Sequence, residues 1–281
     1  MALPVSPAAV RALLKELQGS ARDQKPLVVG GARELAVVLR RELGRDARSG
    51  AVRHDDEPKG GAVFVYVLGH APDEEDERAL KRARRARVPI VAVTAGRVAE
   101  EVSIPFVLAT DVVRVGPGEG FPLEAIARVI AARLGEDGAL LAAQLPLLRG
   151  AVCEQLVSSF ARKNGVFAAA VFIPGADLPV LALNQTRMLL RLEQAYGLEI
   201  DGRESAPELL APVATGLGLR AIARELLAVV PVAGWVVKGA VAYAGTRALG
   251  EAAVRRLEAR VPGGQGRIPT RPQAGASPGA P

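Results

Sequence analysis

The sequence predicts an α/β fold followed by an all-α region. Three observations carry this. Two uninterrupted apolar runs of strand length, Ala62–Leu68 (AVFVYVL) and Pro89–Thr94 (PIVAVT), sit between stretches of helical periodicity. Such runs are expected of central parallel strands covered on both faces. Strand and helix patterns alternate through residues 25–138, which argues for a doubly wound, mostly parallel sheet of about five strands. From 139 to 260 the patterns are helical with no convincing strand, so this half is expected to consist of apolar helical hairpins.

The first strand is Leu27–Val29, with Gly30-Gly31 as its turn and Glu34–Leu43 as the helix behind it. Ahead of it, residues 1–24 hold a short amphipathic helix at 5–18, with Ser6 as cap, Pro7 at its first position and Val10, Leu13, Leu14 and Leu17 on one face. A weak second strand is placed near Ala51–Arg53, and Asp55-Asp56-Glu57 opens a loop. After Ala62–Leu68 comes a helix over Asp73–Arg87, acidic at its start and basic at its end, which suits the helix dipole. This charge run reads as a solvated face. The last strand is expected at Pro105–Ala109 (PFVLA), followed by a Gly116–Gly120 loop and a helix at Pro122–Leu134.

In the second half, residues 139–162 form one or two helices with Pro146 as a break. Pro174 and Gly175 end a helix and turn the chain. Asp177 caps the next helix and Pro179 fits its first turn. Gly197 closes that helix as a left-handed cap. Ser205 and Glu208 have capping-box spacing ahead of helices at Leu209–Leu217 and Leu219–Val229. A second Pro-centred hairpin at Val229–Trp235 leads into a long helix from about Val232 to Ala259. There Ala240, Ala244, Ala248 and Ala252 line up at i,i+4, a row expected to admit a close helix neighbour. Residues 261–281 are rich in Pro, Gly, Ser and Gln without periodicity and read as a disordered tail.

Composition narrows the function classes. Of 281 residues, 49% are hydrophobic and only 4% aromatic, so the core rests on Ala, Leu and Val. The net charge is +6, yet Arg260, Arg267 and Arg271 supply half of it at the end of the chain, where 260–281 hold no acid. Nucleic acid is therefore not expected as a partner. Cys153 is alone, which suits a reducing compartment. No signal-peptide pattern opens the chain. The longest uncharged stretches, 60–72 and 164–176, are 13 residues each. A simple spanning helix needs about 18, so only a re-entrant or interfacial segment stays open. A cytoplasmic protein is expected, with a peripheral place at the inner face of the membrane left open.

The search for chemistry finds little. A phosphate-binding loop needs G-x-x-x-x-G-K-[ST], and the first turn reads GGARELAV, without the second Gly, the Lys or the hydroxyl. A G-x-G-x-x-G fingerprint fails too. Gly30 and Gly31 read as turn residues, with an atypical phosphate site at Gly30-Gly31 or Gly116–Gly120 as the alternative. His70 follows the central strand at the edge where α/β proteins bind ligands, but no partner for base catalysis is visible. His54 reads as a solvated loop residue. Asp55, Asp56 and Glu57 lack calcium-loop spacing, and Cys153 reads as core. No catalytic, cofactor-binding or metal-binding residue is assigned.

Residues 25–135 resemble a small GTPase domain, Era- or dynamin-like, whose motifs have decayed. The Walker-B strand corresponds to VFVYVLGHAPD, which has Gly69 but no Asp before it, and the guanine-reading motif corresponds to VAVTAGRV. PFVLATDVVRVGPGEGFPLEAIARVIAARL looks like the final strand, Gly-rich turn and last helix. Residues 150–257 resemble the YcjF-like, GTPase-associated domain of unknown function. The residues that carry this are Asn164-Gly165, Pro174-Gly175-Ala176-Asp177, Asn184-Gln185-x-x-Met188, Tyr196-Gly197, Pro231-Val232-Ala233-Gly234 and Ala244–Gly250. That bacterial-type family implies fusion to, or genetic linkage with, GTPase domains and, for some members, the inner membrane; it supplies no catalytic residues.

The expectation is a non-catalytic pseudo-GTPase fused to a helical domain that contacts a membrane surface or a GTPase-like partner. A purely soluble scaffold is the further alternative. Candidate contact residues are Phe172, Pro174, Asp177, Pro179, Pro231 and Trp235. Asp177, Asn184, Gln185 and Arg187 read as caps and internal hydrogen-bonding groups.

Overall fold

The computed structural model describes residues 12–13, 15–16, 19, 24–96, 102–170, 178–198 and 234–260. Five strands form one fully parallel sheet: β1 (Leu27–Gly31), β2 (Val52–His54), β3 (Val63–Leu68), β4 (Ile90–Ala95) and β5 (Val112–Val115). Their order is β2-β1-β3-β4-β5. In the central register Val29 and Val91 both lie beside Val65. The order reverses at the β1/β3 pair. In open α/β sheets ligands bind at this switch point, outside the carboxyl ends of the strands.

Side-chain alternation divides the sheet into two apolar faces. Leu27, Val29, Val63, Val65, Val67, Val91 and Val93 face α1 (Arg33–Leu43) and α3 (Leu123–Leu134), meeting Ala36, Leu39, Ile126 and Ile130. Val28, Phe64, Tyr66, Leu68 and Ala92 face Ala79, Leu80 and Ala83 of α2 (Glu74–Arg85). All six residues of β3 are buried, which is why its sequence shows no alternation. The first face does not end at α3. The same apolar cluster continues through Leu141, Leu148, Val152, Met188 and Leu192 into the helices that follow.

The last strand is not where the apolar run suggests. Residues 105–109 form a turn and the start of a 3₁₀ segment (Ala109–Asp111), and β5 pairs Val112–Val115 with Ala92–Ala95. Pro105 offers no N–H to a ladder. Phe106 has a left-handed backbone at φ 64°, which interrupts extended chain, and Leu108 is 61% exposed. Val113 and Val115 point into the core with Arg114 outward.

The helical part comprises α4 (Gly138–Gln144), α5 (Pro146–Ala170), α6 (Leu178–Ala195) and α7 (Gly234–Arg260). Pro146 opens α5 at the break, as proline at a first helical turn does. Pro179 lies in the first turn of α6. At the other end Gly197 has φ 72°, its N–H meets Gln194 O and the Leu198 N–H meets Glu193 O. These are the two bonds of a Schellman motif.

Helices α5 and α7 run antiparallel in close contact. A Cβ on Gly239 would lie 2.9 Å from Gly165 O, and one on Gly250 would lie 2.6 Å from a Val157 methyl. This corrects the expected packing row. Ala240, Ala244, Ala248 and Ala252 are all exposed, and the row against α5 is Gly239, Ala242, Thr246 and Gly250. Glycine permits the closer approach because it has no Cβ at the contact.

Of the N-terminal helix, Leu13 is buried. Ser6, Pro7, Val10, Leu14 and Leu17 lie outside the described residues, as do Phe172, Pro174, Asp177, the segment 199–233 with Ser205, Glu208 and Pro231, and the tail 261–281. Trp235 is the second residue of α7, and its side chain falls outside the described part.

Candidate functional site

The switch point is where an α/β protein would hold a phosphate, and here its backbone donors are engaged by the chain itself. Gly31 has φ 96°, and a Cβ there would collide with the Val67 carbonyl oxygen. A Cβ on Gly30 would meet Asp56 Oδ1 at 2.8 Å and the Phe64 ring at 2.9 Å. Packing therefore explains both glycines. The Gly31 N–H donates to Asp56 Oδ1 at 3.1 Å, and the Ala32 N–H donates to Val67 O at 2.8 Å. The second glycine-rich turn repeats the device: the Gly116 N–H donates to Glu119 Oε2 at 3.2 Å. Each turn places a carboxylate of this chain against an amide that a phosphate would need.

The remaining acids of the Asp55–Glu57 loop are also used locally. Asp55 accepts the Glu57 N–H at 3.0 Å and pairs with Arg53 at 3.4 Å, while Glu57 accepts the Lys59 N–H. His54 is exposed.

His70 lies at the carboxyl end of β3, exposed, with Nδ1 2.8 Å from Ala71 O and 3.9 Å from Asp76 Oδ2. The ligand atoms of His70, Asp73 and Asp76 lie within 4.8 Å of one another. The start of α2 accounts for this grouping. Asp73 accepts the Glu75 and Asp76 N–H groups, and Asp76 Oδ2 accepts the Asp73 N–H in return, a reciprocal capping box. Asp76 Oδ1 accepts the buried Tyr66 hydroxyl at 2.8 Å. Burial, then the Asp76 carboxylate, pushes the Tyr66 pKa up. The hydrogen bond to Ala71 O raises that of His70, with help from Asp76 and Asp73. Sequence reading had missed Tyr66 and Asp76, although the Asp73/Asp76 spacing carried a cap signal.

Several polar groups in the helical part satisfy one another. Thr246 Oγ1 accepts Asn164 Nδ2 at 3.0 Å and Gln185 Nε2 at 3.1 Å, and Asn184 donates to Asn164 Oδ1 at 2.8 Å. Arg187 reaches Glu136 at 2.7 Å and Glu16 at 2.8 Å, and Lys163 reaches Glu136 at 2.8 Å. Burial alone would raise the Glu136 pKa, but the Lys163 hydrogen bond and the charges of Arg187 and Lys163 hold it below the usual carboxylate range. Asn184, Gln185 and Arg187 are thus internal groups. Cys153 is buried, and burial pushes its thiol up to about 12, which is unsuited to a nucleophile.

The end of the bundle where α5 stops and α6 and α7 begin has a different character. Ala168, Leu181 and Ala242 make a small core there, with Phe167 half-buried against it. Around it Val166 is 71% exposed, Val236 53%, Val237 42% and Val180 38%. Pro179 is exposed beside Val180. Lys163–Ala170, Leu178–Leu183 and Gly234–Ala244 include Lys163 and Lys238 and no acidic residue. Among the described residues no helix is long and apolar enough to cross a membrane. Comparison with protein-family models, curated proteins and solved structures finds no match.

Proposed function

We propose that this chain is a non-catalytic interaction protein: a degenerate GTPase-like α/β domain fused to a helical domain that contacts a membrane surface or a GTPase-like partner. The observation that carries the reading is the exposure of Val166, Val180, Val236 and Val237 together at one end of the bundle. An apolar cluster of this kind, flanked by Lys238 and with no acid in its described segments, suits an apolar or interfacial environment. Removing four partly exposed valines from water is worth about 3–4 kcal/mol, enough for weak, reversible contact. The candidate contact Pro179 belongs to this end; Phe172, Pro174, Asp177, Pro231 and the Trp235 side chain lie outside the described residues.

The non-catalytic part of the reading is supported by the two glycine-rich turns. A nucleotide at Gly30-Gly31 would have to displace Asp56, and one at Gly116–Gly120 would have to displace Glu119. Calorimetric titration of the full chain with GTP, ATP and dinucleotides tests this directly. No heat of binding is expected, and tight binding of any of them overturns the reading.

A further inference from the structure

We propose that the basic end of α2, with Phe106 and Leu108, is a docking surface for a short acidic peptide segment of a partner protein. This surface is separate from the apolar end of the bundle and stands or falls independently of it. Lys81, Arg82, Arg84, Arg85 and Arg87 are all exposed within seven residues. The ion pair formed along α2 is Arg78 with Glu74. Among the described residues none of the five cations reaches a carboxylate. Arg82 makes a long 3.4 Å bond to the Asp56 carbonyl oxygen, and the Arg84 guanidinium sits 5.2 Å from the Phe106 ring centroid. One or two cations satisfy a helix C-terminus. Five that reach no carboxylate repel each other, which offsets what the helix gains from them.

Backbone strain points to the same place. Among the described residues, the non-glycine residues with left-handed backbone are Arg87 at φ 57° and Phe106 at φ 64°. Arg87 is the C′ residue of α2: its N–H meets Arg84 O and the Val88 N–H meets Ala83 O. Glycine is the favoured residue at that position. Phe106 is 39% exposed and Leu108 61%, so neither is fully committed to the core. Arginine and an exposed aromatic, held where other residues cost less, are the side chains that dominate protein interfaces. Planar guanidinium groups pair with carboxylates through two N–H groups at once, and Phe106 with Leu108 gives an adjoining apolar side chain a seat.

The acidic start of the same helix decides the size of the partner. Glu77 is exposed one turn, about 6 Å, before Lys81, and Glu75, Glu74 and Asp73 follow outward. An extended anionic surface such as a bilayer or a nucleic acid would bring its phosphates against these acids. A short segment ends before reaching them.

The test is fluorescence anisotropy of the full chain with a labelled peptide of alternating glutamate and aspartate around a central Phe-Leu pair. Competitors are phosphatidylcholine vesicles with and without phosphatidylserine, and single-stranded DNA. Binding is expected that weakens with salt, falls about tenfold in Arg85→Glu, and falls in Phe106→Ser. Arg87→Gly should bind less well while melting higher, a combination that a purely structural role does not produce. The proposal is overturned if the wild type does not bind the peptide at low salt, if these substitutions leave binding unchanged, or if phosphatidylserine vesicles or DNA bind more tightly and depend on the same residues.

Discussion

The backbone N–H of Gly31 donates to the carboxylate of Asp56 across a separation of 25 residues, at 3.1 Å. This bond ties the turn after β1 to the loop after β2. It also sets a negative charge at the switch point of the sheet, where nucleotide phosphates are held in other α/β proteins. Asp56→Ala should cost about 1 kcal/mol, the net value of a typical hydrogen bond, since solvent at this exposed site screens the extra gain from the charged acceptor. Gly31→Ala should cost more than about 3 kcal/mol, because φ 96° and the Val67 carbonyl both exclude a Cβ. Urea unfolding of the two variants checks the ranking.

Glu136 links three elements through Lys163 and Arg187. Its folded pKa lies below its unfolded value. The stability it contributes is therefore fully present above the unfolded value and is lost as pH falls through the folded one. The loss therefore begins as pH falls through the ordinary glutamate value of about 4.3 and continues below it. Glu136→Gln should be less stable than wild type at neutral pH, and the gap in urea midpoint should close on acidification. A gap that is constant with pH would place the effect in packing instead.

The two faces of α7 should differ in their tolerance of added volume. Gly250→Val drives a side chain into Val157 and should destabilise by about 2–3 kcal/mol. Ala244→Val, on the exposed face, should stay within about 0.5 kcal/mol. Thermal melts of both variants distinguish the packing row seen here from the alanine row.

Arg87→Gly should raise stability by about 1 kcal/mol, since it relieves a left-handed arginine at a helix C′ position. The measurement is the urea midpoint at neutral pH and moderate salt, where charge repulsion along α2 is screened.

How legible these features were depended on how local their causes are. β3 and β4 announce themselves as unbroken apolar runs because both faces are covered. The Pro146 break and the Gly197 cap are also local, each set by one residue's backbone limits. β5 was misplaced because Phe106, Val107 and Leu108 are apolar without being strand. A proline and a left-handed phenylalanine turn the chain there, and its pairing partner Ala92–Ala95 is distant in sequence. On α7 the two small-residue rows lie two positions, about 200°, apart and so on opposite faces. Only the partner residues Val157 and Gly165 decide between them. At the candidate site, the glycines could be read as a turn, but the carboxylates that engage the turn amides could not. Asp56 looked like loop charge until the fold brought it to Gly31. The exposed valines at the end of the bundle follow in part from the Pro-centred hairpins, whereas the lack of a carboxylate beside the five α2 cations, among the described residues, depends on how distant segments fold around the helix.

The proposed contact is made through the apolar end of the helical bundle. Liposome flotation of wild type beside a Val166→Asp/Val236→Asp variant tests it most directly, with the GTPase-like partner as the alternative occupant. Both substitutions fall at exposed positions, so the variant should remain folded by circular dichroism. Wild type is expected to float with phosphatidylcholine–phosphatidylserine vesicles and the variant to stay in the soluble fraction. Wild type that remains wholly soluble across lipid compositions contradicts the membrane contact, and a folded variant that floats as well as wild type contradicts the assignment of that contact to the valine cluster.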